Sequence, residues 1–321
     1  MSFRMTSRHA WRSLLVVILA VTTVPIGTVL AQESTPDGSS ELASQLPAAD
    51  LPTMNEQGYV FEITSTFSGS LDSVPLTAPV FNMNALTYDA TQAQQFADQL
   101  GIGQPVTDNG GGSFSATGNG RLFVSPGLVQ FISSAAVEEG AVPGDTESIA
   151  FAREWLRLTN LLPADIGTGR IEAKVASPPR VIVSFKPVQP NPLLSSIPGI
   201  SLTIGPNGII LEASIRWATL SQGDIYQLTS GTNAWAEVEN RRSYVSVSLP
   251  AEQYPAGATI KGTADYNSVS ITYTSSGIPG EQQYLQPVIV FTGRVTPEGS
   301  TASYAITAYV PGLINSNQPV G

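Results

Sequence analysis

The side chains that most enzymes use for nucleophilic or metal chemistry are scarce in this sequence. It contains no Cys, and its one His is His9, near the start of the chain. Beyond His9, a Ser-His-Asp triad, a Cys-His pair and a zinc or haem site built on His or Cys are therefore excluded. None of the three lysines (Lys174, Lys186 and Lys261) has a Ser three positions earlier, which excludes an S-x-x-K hydrolase. No Walker A loop or dinucleotide fingerprint occurs, so we predict no catalytic residue, no metal and no cofactor.

Carboxylates are the remaining candidates for catalysis, and the closest pairs are Glu138 with Glu139 and Glu237 with Glu239. A glycoside hydrolase needs two carboxyl groups roughly 5–10 Å apart across a cleft. Neighbouring residues on a strand point to opposite faces, so Glu138 and Glu139 do not converge there. Glu237 and Glu239 precede two arginines, which is typical of a surface charge cluster. We therefore predict that the protein is not an enzyme, and a carboxylate-dependent cell-wall carbohydrate hydrolase is the alternative.

Aromatic side chains are the next candidates for a binding surface. Four of them lie in strand-like runs near the C-terminus: Tyr284, Phe291, Tyr304 and Tyr309. Such positions are more often half-buried in a sheet than exposed, and an exposed patch for carbohydrate or peptide is the alternative. Three tryptophans are predicted to be core residues: Trp155, Trp217 and Trp235. The sequence therefore assigns no individual binding residue.

Composition and charge limit the class of protein and of partner. Charged residues make up only 12% of the 321 residues, while 29 Gly and 24 Pro favour β-structure with many turns over helical bundles. The net charge is −10, and without Arg4, Arg8 and Arg12 it is −13, from 12 basic and 25 acidic residues. Because a field of this sign repels phosphate backbones, no nucleic-acid partner is predicted.

The N-terminal segment has the three parts of a secretory signal peptide. A basic region precedes the apolar run 14–21, and the residues up to Ala31 suit a signal peptidase. We predict cleavage between Ala31 and Gln32, and location outside the cell or in the cell envelope. The alternative is an uncleaved anchor over 14–30, which is short beside the roughly 20 apolar residues of a spanning helix. Contact with a membrane is predicted only in that case.

The rest of the chain is divided by composition and periodicity. After the signal peptide (1–31), residues 32–55 are rich in Ser, Ala and Pro and are predicted to form a flexible linker. Periodicity then predicts an N-terminal helix-plus-sheet unit over 56–140 and a C-terminal α+β unit over 141–321. The predicted class is α+β and β-rich, with antiparallel sheets. Because each unit has a helix followed by strands, the two units are candidates for a duplication.

Two longer helices are predicted from apolar spacing. Residues 87–100 have an apolar stripe at i, i+3, i+4 and i+7, and Gly101 suits the left-handed position after the helix. A second helix begins near Asp145. Its predicted core-facing stripe comprises Phe151, Trp155, Leu158 and Leu162.

Two features of the predicted strands concern turns and edges. Asn207-Gly208 favours positive φ at both positions and predicts a two-residue hairpin turn that pairs 202–204 with 209–211. Pro287 lies inside a strand-like run and lacks an N–H, so its strand is predicted to lie at a sheet edge or to begin with a bulge. An edge strand can accept a strand from a partner, unless residues 313–320 cover it.

The C-terminal half resembles a known group of domains at the level of pattern. The runs 284–294 and 303–310, with Trp235 on a short helix after 226–230, are similar to extracytoplasmic regulatory domains of the YycH/YycI type and to PepSY-like modules. The resemblance covers mainly residues 145–311. It implies a bacterial, exported or membrane-tethered protein that is not an enzyme and that contacts a sensor kinase or a protease outside the membrane. It transfers no individual site residue.

Together these observations predict a secreted or cell-envelope binding and regulatory protein with an extracytoplasmic protein partner. A purely structural surface protein is a further alternative, since low charge and many Ser and Thr suit an exposed coat. A cleft with two carboxyl groups of raised pKa would favour the hydrolase. A contiguous exposed apolar or aromatic patch would favour the binding protein.

Overall fold

The computed structural model describes residues 46–51, 57–135, 140–276 and 283–314. All of them belong to one contact unit, Ala43–Gly321. The predicted signal cleavage site between Ala31 and Gln32 lies outside the described residues.

Fifteen strands and three helices make up the regular structure of the described residues. The strands, numbered along the chain, are β1 (Val60–Phe67), β2 (Thr77–Ala85), β3 (Thr107–Gly110), β4 (Ser113–Thr117), β5 (Gly120–Ser125), β6 (Leu128–Ser133), β7 (Arg170–Ala176), β8 (Pro179–Phe185), β9 (Gly199–Ile204), β10 (Ile210–Arg216), β11 (Ala218–Gln227), β12 (Tyr244–Val247), β13 (Thr259–Ser276), β14 (Gln283–Pro297) and β15 (Tyr304–Pro311). The helices are α1 (Ala90–Gln99), α2 (Asp145–Leu158) and α3 (Gly231–Glu239). None of these helices is long and apolar enough to span a membrane. The predicted α+β, β-rich class is confirmed.

The middle of the chain forms an eight-stranded antiparallel sheet in the order β3-β4-β5-β6-β10-β9-β8-β7. One face of this sheet, with α1 and α2, encloses the larger apolar core. β6 pairs with β10, so that Phe131 lies opposite Ala213. This pairing crosses the predicted boundary at residue 140, and the two sheets therefore do not coincide with the two predicted units.

Helix α1 forms where the apolar spacing predicts it. Asp89 caps its N-terminus with a capping box, and Phe96 is among its buried residues. Gly101 has a φ of +66°. The N–H of Ile102 donates to the carbonyl of Ala97 at 2.9 Å, which closes a Schellman cap around Gly101, at the predicted left-handed position.

Only part of the stripe predicted for helix α2 faces the core: Trp155 and Leu162 pack against it, whereas the other two residues do not. Phe151 and Leu158 are 48% and 60% exposed. The buried residues of the helix are Ser148, Ala152 and Leu156. Small side chains at the first two positions let the helix backbone lie close to the sheet, and the bulky side chains are displaced to its flanks.

The seven-stranded sheet combines both ends of the described chain. Its order is β1-β13-β14-β15-β12, and β2 pairs with both β14 and β11. β1 pairs with β13 in parallel, which corrects the expectation of purely antiparallel sheets. Helix α3, capped by Ser230, packs on this sheet through Trp235.

The strand that contains Pro287 is central, which corrects the predicted edge position. β14 pairs with β13 along its length, and Pro287 lies opposite Tyr273. On its other side β14 pairs with β2 up to Leu285 and with β15 from Val288. The Pro287 carbonyl accepts from the N–H of Gly312 at 3.1 Å on that side. The N–H and C=O of a strand residue point to the same neighbouring strand. The missing N–H of Pro287 therefore lies at the point where the neighbour of β14 changes from β2 to β15.

The predicted hairpin forms, with a longer loop. Asn207 and Gly208 have φ of 60° and 79°, and the N–H of Ile209 donates to the carbonyl of Pro206 at 3.3 Å. Both positive φ values are therefore confirmed. The β9–β10 ladder begins with Ile210 opposite Ile204, and its register shifts after Ile210. The loop is therefore not the two-residue connection predicted.

Part of the predicted linker is ordered against the seven-stranded sheet. We call residues 46–51 the N-terminal strap. The N–H of Asp50 donates to the carbonyl of Ser275 at 2.9 Å, and the Gln286 side chain donates to the carbonyl of Pro47 at 2.6 Å. Two leucines of the strap are buried. Their apolar surface compensates for the ordering of a segment that is otherwise poor in large side chains.

Candidate functional site

The carboxylates considered for catalysis do not form a site among the described residues. Glu138 and Glu139 lie outside these residues. Glu237 on α3 forms an ion pair with Arg242 at 2.7 Å, and Glu239 is exposed. The second pair is therefore part of a surface charge cluster and lines no cleft with a second carboxyl group.

The C-terminal aromatic residues do not form an exposed patch. Phe291 is fully buried and its ring packs on that of Trp235 with centroids 5.5 Å apart. Tyr309 is buried, while Tyr284 and Tyr304 are half-buried. These residues support the sheet core and offer no aromatic binding platform.

A basic, serine-lined cleft lies on the eight-stranded sheet, on the face opposite α1 and α2. Its volume is about 390 Å³. We call it the basic cleft, and it is lined by Arg170, Glu172, Ser184, Lys186, Leu193, Leu194, Ser196, Gly199, Ile200, Ser201, Ser214 and Arg216.

Strand register creates the floor of the basic cleft. Arg170 lies opposite Ser184, Ser184 opposite Ser201, and Ser201 opposite Ser214. Residues on either side of these serines, such as Val183, belong to the helix-covered core. Because side chains alternate along a strand, the polar residues in between must point to the other face. Directly opposite residues lie about 5 Å apart, so the serines form a continuous row.

A hydrogen-bonded group holds one wall of the basic cleft. Arg170 donates to the Glu172 carboxylate, with an Nη2–Oε2 distance of 2.9 Å, and Ser184 donates to the same oxygen at 2.9 Å. The hydrogen bond from Ser184 lowers the pKa of Glu172, with a smaller contribution from Arg170. Glu172 is therefore ionised at neutral pH and neutralises Arg170.

Lys186 is the least solvated cation of the basic cleft. Its ammonium group donates to the carbonyl of Ser195. The pKa of Lys186 is lowered to about 8, mainly by burial and also by the nearby Arg170, while Glu172 acts in the opposite direction. A side chain at Gly199 would place its Cβ 3.3 Å from the Lys186 ammonium and 2.5 Å from the carbonyl of Ser196, so glycine leaves the space that Lys186 occupies.

The loop between β8 and β9 forms the apolar wall of the basic cleft. Leu193 and Leu194 line it. The loop is held by the other sheet, because the N–H of Leu194 donates to the carbonyl of Tyr273 at 2.8 Å and Thr272 donates to the carbonyl of Pro192 at 2.9 Å. The basic cleft therefore has a wall fixed by both sheets.

The basic cleft has a local charge opposite to that of the whole chain. It contains Arg170, Lys186 and Arg216 with Glu172 as its one carboxylate, in a chain of net charge −10. Within the described part of the chain, no carboxylate lies within ion-pair distance of Arg216. The guanidinium of Arg216 is therefore free to bind an anion.

The donors and cations of the basic cleft are of the kind that bind anions. Across the described ranges, no three His, Cys, Asp or Glu side chains are grouped so as to hold a metal. Sequence reasoning missed this cleft because Arg170, Ser184, Ser201 and Ser214 meet only through strand pairing. The sequence does show that Ser184 and Lys186 are two positions apart, which places a hydroxyl and an ammonium group on one face of a strand.

A second hollow lies at one end of the seven-stranded sheet and has a volume of about 500 Å³. Glu62, Lys261 and Glu298 line it. Glu62 and Lys261 form an ion pair at 3.2 Å, and both side chains are largely exposed. The hollow therefore contains side chains of both charges, and these side chains are exposed to solvent.

Comparison with known proteins finds solved structures that are similar to this chain at low sequence identity. No family model matches the chain, and no curated protein matches it. An uncharacterized protein from Eubacterium rectale is similar at 8% identity and a TM-score of 0.39, over 81% of this chain and 90% of that chain. The Bacillus megaterium YpeB C-terminal domain is similar at 8% identity and a TM-score of 0.34, over 73% of this chain and 98% of that chain. At this identity and these TM-scores neither likeness indicates a function for this chain, and the resemblance to YycH/YycI-type and PepSY-like domains remains a prediction.

Proposed function

We propose that the protein is an exported, non-catalytic binding module that recognises an extracytoplasmic protein partner through the basic cleft. The observation that supports this proposal is the charge of the cleft. Lys186, the row of serines and Arg216, which pairs with no carboxylate among the described residues, are donors for an anionic group on a partner. The strands that position these donors belong to a sheet backed by helices, which keeps them in fixed register.

The hydrolase alternative receives less support from the described residues. In the hollow at the end of the seven-stranded sheet, two carboxylates, Glu62 and Glu298, line one cavity. A glycosidase needs a general acid whose pKa is raised by burial, and both of these side chains are exposed. Hydrolysis of peptidoglycan or polysaccharide that is lost in Glu62→Gln or Glu298→Gln would contradict the proposed function.

The role of the basic cleft is tested by capture of the partner from cell-envelope extracts after chemical cross-linking. We expect Arg216→Glu to abolish the capture that the unchanged protein shows. Arg121→Glu is the matched control, because Arg121 is an exposed arginine on the same face of the same sheet outside the cleft. Equal capture by the two variants would contradict a role of the cleft. Absence of any captured partner, with the protein in an insoluble surface layer, would favour the structural alternative.

Export is tested separately from binding. We expect N-terminal sequencing of the protein from the extracellular or envelope fraction to begin at Gln32. A chain that retains Met1 in the membrane fraction would instead support the uncleaved anchor.

A further inference from the structure

We infer that the basic cleft is a carboxylate-binding site for a group that has a short apolar portion next to its carboxylate. This inference rests on the proposed function and specifies the ligand class of the same cleft. The ligand group can belong to a partner's polypeptide chain or to a free small acid, and the two share this chemistry.

The donors of the basic cleft match one oxyanion. Arg216 has a planar fork of N–H groups that suits the two oxygens of a carboxylate. Ser214 stands two positions before Arg216 on the same face of β10, and Ser201 lies directly opposite Ser214. Throughout the described ranges the hydroxyls of these two serines form no hydrogen bond with protein groups. They are therefore available as donors next to the Arg216 guanidinium.

Glu172 limits the attraction of the basic cleft for multiply charged anions, because it offsets part of the charge of the three cations. Glu172 is held ionised in the cleft wall by Ser184 and Arg170. A fixed carboxylate beside the site repels a phosphate dianion more strongly than a monoanion. The chain as a whole has a net charge of −10, which adds a repulsion proportional to ligand charge.

The apolar wall specifies what adjoins the carboxylate. Leu193 and Leu194 line the same cavity as the donors. Removing apolar surface of a bound group from water against these side chains adds affinity that a bare inorganic anion cannot obtain. The volume of about 390 Å³ is within the range of small-ligand pockets.

Lys186 makes the binding dependent on pH. Its ammonium faces Arg170, Glu172 and the open cleft, and burial lowers its pKa to about 8. As the pH rises through 8, Lys186 loses its charge and the attraction for a carboxylate falls. Arg216 retains its charge over this range, so binding weakens without being abolished.

The test uses the purified protein and N-acetylleucine as probe, with isothermal titration calorimetry. We expect binding at pH 7, at least about tenfold weaker binding in Arg216→Gln, and unchanged binding in the Arg121→Gln control. N-acetylleucine amide, which lacks the charge, and inorganic phosphate, which lacks the apolar portion, should each bind at least about tenfold more weakly. Circular dichroism of each variant confirms that it is folded.

The pH dependence provides a second readout. Affinity of the unchanged protein should fall between pH 7 and pH 9, and Lys186→Met should lose most of this dependence. Equal binding of acid and amide, tighter binding of phosphate, or equal loss in Arg216→Gln and Arg121→Gln would each overturn the carboxylate assignment. Partner capture that depends on Arg216 without binding of N-acetylleucine would overturn this inference alone and leave the proposed function in place. Binding of N-acetylleucine without partner capture would support the assignment with a free small acid as the ligand and contradict the protein partner.

Discussion

At the scale of single residues, the same side-chain type has different properties according to its surroundings. Lys174 forms an exposed ion pair with Asp145 at 2.7 Å, and Lys261 pairs with Glu62. Exposed pairs of this kind contribute little to stability. Lys186 is half-buried in the basic cleft, and burial lowers its pKa to about 8. Position in the fold therefore makes one of three lysines a titrating group near neutral pH.

The Lys186 pKa predicts a specific dependence of stability on pH. Between pH 8 and the ordinary lysine pKa of 10.5, the unfolded chain retains a proton that the folded chain has released. The contribution of Lys186 to the free energy of unfolding therefore rises with pH across this window. In urea denaturation, we expect the unfolding free energy of the unchanged protein minus that of Lys186→Met to increase from pH 8 to pH 10.5.

The control for this measurement is Leu76→Ala, which changes an exposed side chain without a titrating group, so its difference from the unchanged protein should stay nearly constant over the same range. Tyrosines titrate equally in all three proteins and cancel in the differences. A Lys186→Met difference that is the same at both ends of the window would contradict the desolvation of Lys186.

At the scale of elements, apolar periodicity locates a helix more reliably than it assigns the buried face. α1 buries the stripe that its sequence predicts, including Phe96. α2 forms where predicted, yet Ala152 and Leu156 are fully buried while Phe151 is half exposed. The size of the residues facing the sheet decides this difference, because close packing of helix on sheet favours small side chains at the contact.

The buried face of α2 is tested by comparing two truncations. Leu156→Ala should cost roughly 2–5 kcal/mol of unfolding free energy, because it leaves a cavity in the core. Phe151→Ala should cost about 1 kcal/mol, because much of its ring is already in water. The reverse order in urea denaturation would support the predicted stripe and contradict the observed one.

The hairpin between β9 and β10 is a second test at this scale. Gly208 has a φ of +79°, and a Cβ there would lie 3.3 Å from the ring of Phe151. Gly208→Val should therefore lower the unfolding free energy by about 1–3 kcal/mol. Gly208→Asn is the control, since asparagine tolerates positive φ, and it should cost less than the valine variant. Equal melting temperatures for the valine variant and the unchanged protein would contradict the turn geometry.

At the scale of the whole molecule, the N-terminal strap (46–51) and the loop before β9 are held together on the seven-stranded sheet. Leu51 belongs to a buried cluster with Val288, Val290 and Tyr309, and Leu194 packs against that cluster. Leu194 also lines the basic cleft. The strap and a wall residue of the cleft therefore pack on the same buried cluster.

This arrangement predicts that Leu51→Ala costs roughly 2–4 kcal/mol of unfolding free energy. The control is Leu76→Ala, because Leu76 is 74% exposed and its truncation should cost less than about 0.5 kcal/mol. We further expect faster hydrogen exchange at the Leu194 amide, which donates to the carbonyl of Tyr273. A Leu51→Ala variant as stable as the Leu76→Ala variant would show that the strap is a flexible linker.

The sequence alone determined those features that depend on neighbours along the chain. Turn residues such as Asn207 and Gly208, the left-handed Gly101 after α1, and the α+β, β-rich class follow from local propensity and periodicity. The scarcity of His and the absence of Cys likewise limit the chemistry without any knowledge of the fold.

Only the tertiary structure decided which distant segments meet. The central position of Pro287 depends on β2 and β15 meeting end to end beside β14, and local sequence contains no information about that junction. The basic cleft has the same origin, since Arg170, Ser184, Ser201 and Ser214 become neighbours through strand register across residues 170–216. Pairing between strands is set by the summed burial of whole sheet faces, which no short window of sequence can express.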